Sequence, residues 1–144
     1  MKKSDIFKNA KRVHIIGIGG IGTSGLAYLL LQEGKIISGS DTNLTQITRT
    51  LEKKGIKVFS PQREKNIKKD VNLVIYSQAI LPDNPEYRKA KQLKIPLLSY
   101  PEGVGEIMRS KRGIAIAGTH GKTTTSALIT YLLKKNKFSP SFLI

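Results

Sequence analysis

The chain contains no cysteine and no tryptophan. Without a thiol there is no disulfide, no cysteine nucleophile and no thiolate-held zinc or iron–sulfur centre. A cytoplasmic location is the corresponding expectation. Acidic residues are also scarce: 10 Asp and Glu stand against 25 Lys and Arg, a formal charge of +15 over 144 residues. Such an excess attracts anions, from nucleic acid to phosphorylated small molecules. The cations are dispersed, however, in pairs such as Lys53-Lys54 and Lys68-Lys69, and only five Tyr and four Phe are present to stack on bases. A solvated lysine-rich surface that does not bind nucleic acid is therefore expected. Long apolar runs are missing too. The stretch 13–31 comes nearest, but five glycines together with His14, Thr23 and Ser24 interrupt it, and Glu33 follows. That pattern suits a buried strand, turn and helix better than a bilayer span, so no membrane association is expected.

What is present is ordinary globular composition, 39% hydrophobic and 24% charged, in a length that suits one well-cored domain and is short for two. Short apolar runs that end in glycine alternate with helical spacing. Strands are expected at 13–16, 35–40, 56–59, 71–76 and 96–98, and helices run from about Leu26 to a stop at Gly34, then over 45–54, 86–93 and 102–109. A further strand at 113–117, a helix over 123–135 and a strand starting at Phe142 follow. The alternation predicts an α/β fold: a Rossmann-like, mostly parallel sheet, then the first strand–loop–helix of a second α/β unit. The basic segment 109–112 separates residues 1–109 from residues 110–144.

Two glycine loops carry the chemistry. Gly17-Ile18-Gly19-Gly20-Ile21-Gly22 matches G-x-G-x-x-G between a strand and a helix. Glycine permits the tight turn and the close approach of backbone N–H groups to a diphosphate, and the helix start adds partial positive charge. A side chain at Gly19 is expected to enter the diphosphate space. Asp41 follows Gly22 by 19 residues, at the end of the second strand, where a carboxylate can accept from ribose hydroxyls. Taken alone, this loop suits an NAD(P)-dependent oxidoreductase as well as another diphosphate nucleotide. The second loop is Gly118-Thr119-His120-Gly121-Lys122-Thr123-Thr124. Its Gly-Lys-Thr core supplies a backbone turn, a lysine for the β/γ-phosphates and a hydroxyl for Mg²⁺, although the loop is two residues shorter than G-x-x-x-x-G-K-[ST]. Two phosphate loops imply two phosphorylated substrates and a reaction driven by ATP. His14, inside the first strand, reads as a satisfied, partly buried histidine. His120 contributes to its loop chiefly through its backbone N–H. Tyr28 and Tyr131 read as packing residues, and Asp83, Asn84 and Glu86 as turn and helix-start residues.

GIGGIGTSGLA (17–27), SGSD (38–41), YSQAI (76–80), DNPE (83–86) and AGTHGKTTT (117–125) occur in the order and spacing of the Mur ligase family, which the chain resembles over about residues 13–144. Within that family, GIGGIG followed by SGSD favours the alanine-adding member over the murein-tripeptide recycling member. The resemblance implies a three-domain ATP-dependent carboxylate–amine ligase of peptidoglycan synthesis. Its reaction would activate the lactyl carboxylate of UDP-N-acetylmuramate as an acyl phosphate, which the amine of L-alanine attacks. Carried over residue by residue, Gly17, Gly19, Gly20, Ile21, Gly22 and Thr23 would cradle the UDP diphosphate. Ser40 and Asp41 would lie near the nucleoside, and Ser77, Ala79 and Ile80 would line the same cleft. Gly118, Thr119, His120, Gly121, Lys122, Thr123 and Thr124 would hold ATP. Lys122 would act on the transferring phosphoryl group and Thr123 would ligate Mg²⁺. The L-alanine site would lie outside these residues. The 144 residues are thus expected to bind the UDP-sugar without turnover, and to self-associate through the apolar face of the second unit.

Overall fold

The fold is built around five short strands, of which Arg12–Ile16 and Leu73–Tyr76 are the most apolar and the most deeply buried. In the computed structural model, which describes residues 3–143, β1 (Arg12–Ile16), β2 (Ile36–Ser40), β3 (Lys57–Phe59), β4 (Leu73–Tyr76) and β5 (Leu97–Ser99) form one sheet in the order β3-β2-β1-β4-β5. Every pairing is parallel, so the expected mostly parallel sheet is entirely so. In register, Val13 lies between Ile37 and Leu73, and Ile15 between Gly39 and Ile75.

Strand alternation sends these residues to one face, where Val13, Ile15, Ile37, Leu73, Ile75 and Leu98 form the main core. Helices α2 (Ile21–Gln32), α3 (Gln46–Lys53) and α5 (Tyr100–Arg109) cover that face with Leu26, Ala27, Leu30, Leu51 and Ile107. Helix α4 (Pro85–Gln92) covers the other, where Ala90 meets Ile16 and Val74. Helices on both faces of a parallel sheet are the doubly wound arrangement.

Each helix start has a local cause. Thr45 caps α3 in a reciprocal capping box with Thr48. Asn84 Oδ1 accepts from the N–H groups of Glu86 and Tyr87, with Pro85 in the first turn of α4. Glu102 accepts from the N–H and hydroxyl of Ser99 before α5. Gly34 and Gly55 take positive φ after α2 and α3, where a Cβ would be strained. An additional helix, α1 (Lys3–Asn9), was not expected from the sequence. It is short and mostly polar, and it is held by buried Phe7 and by Lys35, whose ammonium donates to the Phe7 and Ala10 carbonyls at 3.0 and 2.7 Å.

The segment after Arg109 differs from expectation. Helix α6 (Lys122–Lys135) forms, but residues 113–117 make no strand, nor do Phe142 and Leu143; Ile144 lies outside the described residues. A parallel strand is stable when neighbours pair with both its edges and cover both its faces. Here Ile114 is 61% exposed, and no residue of α6 is buried. Tyr131, expected to pack, is 60% exposed. The segment touches the sheet domain through Lys111 Nζ to Glu33 Oε1 at 3.0 Å, and through Leu143 beside Gly25 of α2.

This division predicts two responses to truncation. Leu26→Ala, at a fully buried position, should cost about 2–5 kcal/mol of unfolding free energy. Leu128→Ala, 58% exposed on α6, should stay within about 0.5 kcal/mol. Urea unfolding followed by far-UV circular dichroism measures both, and a large Leu128 effect would place α6 in the cooperative core.

Candidate functional site

β1 lies at the centre of the sheet, with β2 on one side and β4 on the other, so the chain changes direction at its carboxyl end. Crevices at such switch points are where doubly wound sheets bind ligands. The first glycine loop occupies this one. It is held from beneath by two consecutive residues of β2 and its exit. The Ser40 carbonyl accepts from the N–H groups of Gly17 and Ile18 at 2.8 and 3.0 Å, and Asp41 Oδ2 accepts from the Gly19 N–H at 2.8 Å. Thr23 closes the loop from the helix side, donating its hydroxyl to the Gly17 and Gly20 carbonyls at 2.7 and 3.1 Å.

These bonds divide the loop in two. Gly17, Ile18 and Gly19 point their N–H groups into the protein. Those of Ile21, Gly22 and Thr23, at the first turn of α2, have no acceptor among the described residues. Free N–H groups at the start of a 12-residue helix can receive an anion, with the helix dipole adding to the attraction. Gly17 has a φ of +78°, and a Cβ there would stand 2.9 Å from that of Ser77. The structure thus brings Gly17, Ser77 and Ile80 together, while Ala79 sits exposed in the same turn. A Cβ on Gly19 would meet Asp41 Oδ2 at 2.8 Å and Thr48 at 3.2 Å. A side chain at Gly19 would press on the carboxylate that holds the loop.

Ser40 and Asp41 are therefore supports as well as neighbours of the site. The Ser40 side chain is fully buried and donates to Glu86 Oε2. Glu86 was read as a helix-start residue, and the structure assigns it a larger part. Its side chain is fully buried beneath the loop, where Oε2 also meets His14 Nε2 at 3.2 Å. Oε1 accepts from Asn66 Nδ2 at 2.6 Å and from the Arg63 N–H at 3.3 Å. His14 is fully rather than partly buried, with its other nitrogen 2.9 Å from Ser38 Oγ. Burial pushes the Glu86 carboxyl up, but bonds from His14, Ser40 and Asn66, with the His14 charge, outweigh it and hold it below its ordinary value. A histidine inside the apolar run of β1 was the available signal for such a partner. Nothing in the sequence indicates that a helix-start glutamate turns inward.

The second loop, with Gly118 at φ +155° and Gly121 at φ +76°, leads directly into α6. All residues from Gly118 to Thr124 are exposed. Lys122 Nζ curls back to the Gly118 and Thr119 carbonyls at 2.7 and 3.5 Å, so the ammonium lies over the loop. Together with the unbonded N–H groups at the start of a 14-residue helix, this donor set fits a polyphosphate. For a metal it offers the Thr123 hydroxyl, and the described residues contain no group of three or more His, Asp or Glu that could hold one.

A family model described as Mur ligase family, catalytic domain, matches residues 12–112. A UDP-N-acetylmuramate–L-alanine ligase of Carboxydothermus hydrogenoformans is 52% identical over 128 residues, 89% of this chain and 28% of that protein. The protein of the same name from Blochmanniella floridana is 48% identical over 132 residues, 92% and 28% of the two lengths. Among solved structures, a UDP-N-acetylmuramate–alanine ligase of Thermotoga maritima superposes with a TM-score of 0.81 at 34% identity, covering 88% of this chain and 30% of its own. A murein peptide ligase of Psychrobacter arcticus superposes with 0.82 at 27% identity, covering 88% and 27%. The chain spans about three-tenths of the length of the curated relatives it matches.

The buried carboxylate makes a prediction with a definite sign. A depressed folded pKa contributes stability above the unfolded value of 4.5, and that contribution is lost as pH falls through the folded value. Glu86→Gln should therefore flatten the loss of stability below pH 4.5. Glu86→Ala, which leaves His14, Ser40 and Asn66 without their acceptor, should cost about 3–5 kcal/mol at neutral pH. Urea denaturation across pH measures both, and parallel wild-type and Gln profiles would show that Glu86 does not titrate differently on folding.

Proposed function

The chain belongs to the Mur ligase family, and from that premise we propose that it is the UDP-sugar-binding portion, with the opening of the ATP-binding portion, of a ligase joining L-alanine to UDP-N-acetylmuramate. In the proposed reaction the lactyl carboxylate takes the γ-phosphoryl group of ATP, ADP leaves, the alanine amine attacks the acyl carbon, and phosphate departs as the amide forms. The observation that carries the reading is the presence of two glycine loops at helix starts on one chain, one clamped at a switch point and one bearing Lys122.

An oxidoreductase needs the first loop and has no use for the second. Asp41 adds to that argument, because one of its oxygens is already bonded to the Gly19 N–H. Among the solved structures, identity of 34% to an alanine ligase against 27% to a murein peptide ligase supports alanine over a peptide as the amine, as does 52% identity to a curated alanine ligase.

In this reading the N–H groups of Ile21, Gly22 and Thr23 hold the UDP diphosphate, and Ser77, Ala79 and Ile80 line the cleft beside it. Ser40 and Asp41 act near the nucleoside end by keeping the loop in place. Gly118 to Thr124 receive ATP, with the Lys122 ammonium placed to offset charge on the phosphoryl oxygens. Thr123 would be this chain's ligand to Mg²⁺, which would supply charge neutralisation at the phosphates. We place the domain boundary between residues 109 and 110. Residues 110–144 then begin a second unit, whose exposed Leu128, Tyr131 and Leu132 would drive self-association of the isolated chain. Reaction in the cytoplasm follows from the same reading, and no helix among the described residues is long and apolar enough to cross a membrane.

Calorimetric titration with UDP-N-acetylmuramate, UDP and NAD tests the ligand. Binding of the muramyl nucleotide, weaker binding of UDP and little of NAD are expected; preferential NAD binding would overturn the reading.

Catalysis gives a separate test. The 144-residue chain should release no alanine-dependent phosphate from ATP, because positioning of the phosphoryl group needs more than one exposed loop. In the complete protein, Lys122→Ala should abolish ligation while sparing UDP-sugar binding. Alanine-dependent phosphate release by this chain, or an active Lys122→Ala ligase, would contradict it.

A further inference from the structure

Tyr100, the first residue of α5, has a position that the two loops do not account for. A Cβ built on Gly22 would stand 2.6 Å from its hydroxyl oxygen, 2.7 Å from Cζ and 3.2 Å from Cε1. Gly22 is thus a glycine because the Tyr100 ring lies against it. The last glycine of the motif admits a phenol from α5 to the first turn of α2, where the N–H groups of Ile21, Gly22 and Thr23 lack acceptors. Tyr100, Ile21 and Gly22 also line a cavity of about 430 Å³ beside this helix start, closed on its other side by Gly25, Phe142 and Leu143.

The ring packs against the main core cluster, and phenylalanine would serve that purpose as well. The hydroxyl is different: no described residue hydrogen-bonds to it, and burial pushes the phenol above its ordinary pKa of 10.0. At neutral pH it is therefore a protonated O–H donor beside three N–H donors. A phenol O–H beside Gly22, next to a helix start whose N–H groups lack acceptors, suits an anion with several acceptor oxygens.

We propose that Tyr100 is a ligand-contacting residue, its hydroxyl donating to a diphosphate oxygen held at the first turn of α2. The inference rests on the reading of the first loop as the UDP-sugar site and adds a donor that lies outside both loop motifs. It also gives Gly22 a second function, as the clearance that lets a side chain reach the anion.

The test is Tyr100→Phe, which keeps the ring. UDP and UDP-N-acetylmuramate are titrated calorimetrically into the wild-type and variant chains, with melting temperatures compared alongside. An unchanged melting temperature with affinity reduced roughly tenfold or more for both ligands is expected for a lost charge-assisted hydrogen bond. Unchanged affinity for both would remove Tyr100 from the site while leaving the UDP-sugar reading intact. Loss confined to UDP-N-acetylmuramate would place the hydroxyl on the sugar and overturn the diphosphate assignment. Failure of the wild-type chain to bind either ligand would sink the underlying reading and this inference with it. Should the variant melt lower, Gly22→Ala provides a second arm, since it displaces the ring while retaining the hydroxyl; normal affinity there would also count against the proposal.

Discussion

A carboxylate taken out of water must find enough donors to replace its hydration, and the fold meets that demand at Glu86 by drawing four elements to one point. His14 comes from β1, Ser40 from β2, Asn66 from the 3₁₀ turn Glu64–Asn66, and the Arg63 N–H from the loop before it. Each Glu86 oxygen accepts from two donors, so the buried charge is offset on both sides. The network ties β1 and β2, whose ends meet the glycine loop, to the start of α4.

The connection to the site is direct. Ser40 gives its hydroxyl to Glu86 and its carbonyl to the N–H groups of Gly17 and Ile18, so one residue joins the buried charge to the loop. Asp41 extends the clamp to Gly19. With half of the loop's N–H groups occupied from below, the remaining ones at Ile21, Gly22 and Thr23 have little freedom to turn away from the crevice. An anion-binding turn organised this way needs little rearrangement on binding, which is the physical content of preorganisation. The second loop is built differently: it is exposed throughout, and its lysine is held by the loop's own carbonyls. One chain thus carries a glycine loop clamped against the sheet and an exposed one at the head of a helix with no buried residue.

The glycine-punctuated apolar runs were legible in the sequence because their pattern is local. Val13 to Ile16, Leu73 to Tyr76 and the α2 leucines follow strand and helix periods that burial on a parallel sheet requires; the matched elements formed near their expected bounds, except that α2 begins at Ile21, well before Leu26. Helix α1 was missed because it owes its place to Lys35 and Phe7 rather than to its own pattern. The run at 113–117 was read as a strand for the same reason that the others were, and it fails to pair because strand formation depends on neighbours as well as on composition.

By itself the sequence determined the parallel α/β class, the positions of both glycine loops and the family to which they belong, since all three are written in residues close together along the chain. Only the tertiary structure decided which N–H groups of the first loop face inward, that Glu86 is the buried partner of His14 and Ser40, and that Tyr100 reaches Gly22. Those contacts join residues from 46 to 72 positions apart in the Glu86 network, and from α5 to α2 in the other case. Side-chain direction at such separations is set by how helices cross the sheet and which donors a buried charge can reach, and neither is encoded in any short stretch of sequence.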